Sequence, residues 1–175
     1  MTALDWPGLV VDGGDTLGAY ADVASAQMLI VHDRWSGMSE TSPLATTYEL
    51  RRDEARGLTG TVRHSSQGVL RWTRTVTVSH ATTRRLLGKL AAAHVTAGPY
   101  EPRIDHTDDF PCIEILVVFE PAGLAGPGML LLTTTSQGKS HAPWSVSLGG
   151  SALTSPGDEI GRALSTLRRL GRPAR

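Results

Sequence analysis

Between residues 70 and 78 the side chains alternate. Leu70, Trp72, Val76 and Val78 share one parity, interrupted only by Arg74, while Arg71, Thr73, Thr75, Thr77 and Ser79 occupy the other. Successive strand side chains point to opposite faces, so this pattern demands a strand with one buried face and one wet face. A half-wet strand belongs to an antiparallel sheet rather than to a parallel sheet covered on both sides.

The other segments extend that sheet. Met28 to Val31, Thr46 to Arg52, Leu58 to Arg63, Met129 to Thr135 and Trp144 to Leu148 read as further strands. Cys112 to Phe119 is apolar at both parities except for Glu114, which predicts a central position in the sheet. Turn signals separate them: Ala55-Arg56-Gly57, Ser65-Ser66-Gln67-Gly68 and the Gly/Pro-rich Pro121 to Gly128. Asp33 to Pro43 reads as a loop.

Two segments carry helical periodicity. In the first, Leu86, Leu87, Leu90 and Ala91 recur at helical spacing, with Thr82 or Thr83 as cap and Gly98-Pro99 as the stop. In the second, Ser155 is the expected N-cap and Pro156 the first helical residue. Asp158 and Glu159 suit the positive end of the helix dipole, and Ile160, Ala163, Leu164 and Leu167 form the apolar stripe. Arg168 and Arg169, then Gly171 and Pro173, close it. Residues 1–27 are less regular, with a short helix expected over Ala19 to Gln27.

Strands, helix, strands, helix is the order of an α+β fold. The expectation is one domain over residues 1–175, with a mainly antiparallel sheet of about six to seven strands and two amphipathic helices on one face. At 175 residues and 40% hydrophobic, the chain can build a core without staples. Its only cysteine, Cys112, allows no intrachain disulfide and points to a reducing, cytoplasmic setting. No apolar run approaches the ~20 residues of a membrane helix, and the first residues lack a secretory pattern, so a soluble protein is expected.

Net charge is zero, yet it is distributed in blocks. Residues 55–100 hold seven Arg/Lys and no acid, and residues 101–120 hold six acids and one base. Opposite charges facing one another across strands account for such blocks. The alternative is an anion or nucleic-acid surface made by Arg63, Arg71, Arg74, Arg84, Arg85 and Lys89. A pI near 7.0 and the buried parity of Trp72 speak against nucleic acid.

Two places are candidates for chemistry. Asp105-His106-Thr107-Asp108-Asp109 groups carboxylates and an imidazole ahead of the apolar strand at Cys112, and His141 lies in a later polar loop. If the strands holding Ile113 and Leu131 are hairpin neighbours, the two loops meet at one end of the sheet, and Asp105, His106, Asp108, Asp109 and His141 then have the residue types for acid–base or metal-assisted hydrolysis. The spacing matches no zinc or calcium signature, and Asp is common in turns for backbone reasons. The second place is a binding loop, in which Arg34, Trp35 and Ser36, with Trp144, combine cation, aromatic and hydroxyl.

Other motifs fail on inspection. Gly13-Gly14-Asp15-Thr16-Leu17-Gly18 lacks the Gly-Lys-Ser/Thr ending of a phosphate loop. Gly37 to Thr41 lacks the closing Gly of a nucleophile elbow. Cys112 has the setting of a small buried hydrophobe. The leading reading is a non-catalytic binding or accessory module that uses its sheet face or loops, with a protein or small-molecule partner and no cofactor. A small hydrolase and an anion binder are the alternatives.

Overall fold

A computed structural model describes residues 15–35, 44–98, 111–119, 128–134, 143–148 and 151–171. Their elements are a short helix α1 (Leu17–Tyr20), a 3-10 turn (Val23–Ser25), and strands β1 (Ala26–Trp35), β2 (Leu44–Arg52), β3 (Leu58–Ser66) and β4 (Val69–Val78). Helix α2 (His80–Ala91) and strands β5 (Thr96–Ala97), β6 (Pro111–Phe119), β7 (Gly128–Thr134), β8 (Trp144–Leu148) and β9 (Ser151–Ser155) follow, then helix α3 (Asp158–Leu170).

All the strands join one antiparallel sheet in the order β4-β3-β2-β1-β6-β7-β8-β9-β5. The α+β class and the antiparallel sheet agree with the sequence pattern. The strand number does not: nine strands form among the described residues, not six to seven. The two extra ones carry weak local signals. β5 is two residues long, and β9 reads Ser-Ala-Leu-Thr-Ser with one large apolar side chain. Pairing supplies what local preference lacks, since β9 matches Trp144 with Ser155 and Val146 with Leu153 along β8.

One parity of every long strand enters the core. Leu29 and Val31 of β1 stand beside Leu50 and Tyr48 of β2, and beside Val117 and Ile115 of β6. Leu130 and Leu132 of β7 and Leu148 and Val146 of β8 continue the rows. All are buried in the cluster that also holds Leu86, Leu87 and Leu90 of α2 and Ile160, Ala163, Leu164 and Leu167 of α3. These helical stripes are the ones the sequence spacing predicts. Lys89 Nζ donates to Thr166 Oγ1 at 3.3 Å, tying α2 to α3.

Asp33, also of this covered parity, takes a two-pronged bond from Arg168 of α3. The Nε and Nη2 distances are 2.6 and 2.8 Å. That bond, opposed by desolvation, raises the Arg168 pKa above its ordinary value. A raised guanidinium pKa leaves its share of stability fully present across the neutral range, and it is lost only as pH rises through the raised value.

Local details depart from the sequence reading for identifiable reasons. β1 runs ten residues and absorbs Asp33, Arg34 and Trp35, which were expected in a loop. Ser79, not Thr82 or Thr83, caps α2: its hydroxyl accepts from the Thr82 N–H at 3.3 Å, and Thr83 is buried. Ser155 ends β9, buried, and accepts from the Gly157 N–H at 3.3 Å. Gly157, at φ 90°, is the N-cap of α3, so Pro156 precedes the helix. A left-handed cap of this kind suits glycine, which has no Cβ to clash. Leu70 leaves the buried parity because a bulge shifts register between His64 and Ser65, leaving it 59% exposed. Gln67 and Gly68, at φ 54° and 72°, make the two-residue turn of the β3–β4 hairpin.

Candidate functional site

The second parity of the same strands faces away from the helices and, among the described residues, is covered by no helix or strand. Its residues form rows across the sheet, because directly paired residues of antiparallel strands share a face. One row runs Met28, Val118, Met129 across β1, β6 and β7. The next runs Ile30, Leu116, Leu131. Together they make an apolar patch over the three central strands. Met28, Ile30, Leu116 and Val118 are half-buried, while Met129 and Leu131 are 59% and 39% exposed.

A polar rim surrounds the patch. The row His32, Glu114, Thr133 borders one side. Arg34 Nη2 reaches Glu114 Oε2 at 3.1 Å, and the His32 ring lies 3.3 Å from the Thr47 hydroxyl. Toward β2 and β3 lie Arg51, Glu49 and Arg63, with Arg63 paired to Glu49 at 3.0 Å. These exposed ion pairs contribute little to stability, but they offset charge around the apolar centre. Beyond them come Thr59, Thr61, Thr73, Thr75 and Thr77. A dish of ≈ 250 Å³ lies among Met28, Glu49, Arg51, Thr59 and Arg63. That is below the ~300–1,000 Å³ of a typical small-molecule pocket.

The sequence-predicted site residues fall in three groups. Asp105, His106, Asp108, Asp109 and His141 lie outside the described residues, as does Ser36. The strand arrangement on which their meeting depended does occur: β6 pairs with β7, with Ile113 opposite Thr134. Arg34 stands exposed on the uncovered face beside Glu114 and Cys112, while for Trp35 the backbone alone is described, opposite Leu44 and Pro111. Trp144 is on the covered face and 4% exposed, within the core. Among the described residues, no group of three or more His, Cys, Asp or Glu side chains gathers as a metal site.

The six cations proposed for an anion surface are divided. Arg63 faces outward in its pair with Glu49, Arg74 has the covered parity opposite Val62, and Arg84, Arg85 and Lys89 ride on α2. Arg71 is exposed at the bulge of β4.

The apolar patch itself was not singled out from the sequence. A signal for it existed in Cys112 to Phe119, apolar at both parities in a chain with too few helices to cover two faces.

No protein family, curated protein or solved structure matches this chain. Among the described residues, no helix is long and apolar enough to cross a membrane.

Proposed function

We propose that the chain is a non-catalytic binding module, one domain over its length, that engages a protein partner through the uncovered face of its sheet. The observation that carries this reading is the row pair Met28–Val118–Met129 and Ile30–Leu116–Leu131. Central strands that are apolar on both faces belong to sheets covered on both sides. Here helices cover one side among the described residues, and the second apolar side is left for a partner. An open sheet face with a dish this small suits a macromolecular surface better than an enclosed small molecule. The single thiol of Cys112 supports a reducing compartment such as the cytoplasm.

The test is whether the folded protein offers this face to an apolar probe. Native protein is expected to enhance anilinonaphthalene sulfonate fluorescence. The double variant Met129→Lys/Leu131→Lys is expected to lose that enhancement while keeping its thermal midpoint. Absence of native dye binding, or binding indifferent to the two substitutions, contradicts the proposal.

A further inference from the structure

The sheet ends differently at its two edges. One edge is β5, only two residues long. The other is β4, ten residues long, and among the described residues nothing pairs with it on the side away from β3. Exposed edges are templates for strand addition, and proteins blunt them with short strands, charges, prolines or bulges. β5 is blunted by its length. β4 has a bulge at its start, near Arg71, but from Trp72 to Val78 its ladder with β3 is regular, and that run contains no proline and one charge, Arg74.

The direction of the free backbone groups can be read from one hydrogen bond. The Thr59 hydroxyl of β3 donates to the Val76 carbonyl at 3.3 Å, so Val76 directs its backbone toward β3. Backbone direction alternates along a strand. Thr73, Thr75 and Thr77 therefore direct their N–H and C=O groups outward.

We propose that β4 pairs with β4 of a second copy of this chain, antiparallel and centred on Thr75. The regular run Trp72–Val78 has Thr75 at its midpoint, so this register uses all of it. Thr75 then faces Thr75 of the other copy, and Thr73 faces Thr77, all with outward backbone groups. Threonine pairs across strands are favourable. On the covered parity Arg74 faces Val76, and Trp72 faces Val78. Shifting the centre to Arg74 sets two guanidinium groups opposite each other, and shifting it to Thr73 runs the pairing into the bulge. The two-fold axis stands perpendicular to the sheet, so both copies keep their helices on one side and their uncovered faces join. The interface is isologous and closed.

Sedimentation equilibrium and site-directed cross-linking test this. The wild-type chain is expected at twice the chain mass. Thr75→Pro removes an outward N–H that pairs with nothing among the described residues, and it is expected to yield a folded monomer by far-ultraviolet circular dichroism. In a Cys112→Ser background, Thr75→Cys is expected to form an intermolecular disulfide on oxidation, because directly opposed Cα atoms lie about 5.5 Å apart. Thr77→Cys is expected to fail, its copies being roughly 14 Å apart along the strands. If Thr75→Pro does not fold, the cross-linking pair decides. A wild type at single-chain mass at every concentration, a folded Thr75→Pro dimer, or equal cross-linking at Thr75→Cys and Thr77→Cys overturns the proposal.

Discussion

Strand β6 presents the same kinds of side chain to two different surroundings. Ile115 and Val117 are sealed in the core shared with α2 and α3, whereas Leu116 and Val118 stand on the uncovered face between Met28 and Ile30 on one side and Met129 and Leu131 on the other. The chemistry is alike, and the difference lies in what lies over it. Burial against the helices converts apolar area to stability at roughly 25 cal/mol per Å². On the other face the same area remains partly in water, where the proposed partner would cover it.

The comparison can be broken first at its covered side. Leu132→Ala, at a fully buried position of β7, is expected to cost about 2–5 kcal/mol, because it removes apolar contacts and leaves a cavity. Denaturant unfolding reads this as a lower midpoint with an unchanged slope. A loss no larger than that of a surface substitution would mean that the covered face is not the core.

A smaller effect is expected where a helix is pinned to the sheet. Arg168→Ala removes both bonds to Asp33, whose side chain is only 13% exposed. Stranding that carboxylate is expected to cost about 1–3 kcal/mol. The double variant Arg168→Ala/Asp33→Ala, which strands no charge, is expected to recover part of the loss in thermal unfolding. No recovery would show that the pair is not coupled.

The smallest effect belongs to the uncovered side. Leu131→Lys, one residue from Leu132 but on the opposite face, is expected to change stability by no more than about 0.5 kcal/mol. A loss approaching that of Leu132→Ala would mean that the two faces are equivalent and that the patch is core.

Much of this arrangement is legible in the sequence, and the remainder fails for physical reasons. The α+β class, the stripes Leu86–Leu87–Leu90 and Ile160–Ala163–Leu164–Leu167, and the central place of Cys112 to Phe119 follow from periodicity, which burial enforces. β5 is two residues held by a partner far along the chain, and β9 has one large apolar side chain and is held by pairing with β8 and β5, so their own residues announce little. Leu70 follows the alternation yet sits outside it, because a bulge is a property of two strands together. The patch needs strand order as well: Met28 and Ile30 meet Val118 and Leu116 only because β1 pairs with β6. The acidic cluster Asp105 to Asp109 and His141 lie outside the described residues, and their role stays a matter of sequence alone.

The most direct measurement of the difference between the faces is methyl relaxation by a soluble paramagnetic probe in the folded protein. Along β7, Met129 and Leu131 alternate with Leu130 and Leu132, so one strand carries both surroundings. Strong relaxation of the Met129 and Leu131 methyls, with Leu130 and Leu132 protected, is the predicted result. Equal protection of all four would show that both faces are covered, and would contradict an uncovered face open to a partner.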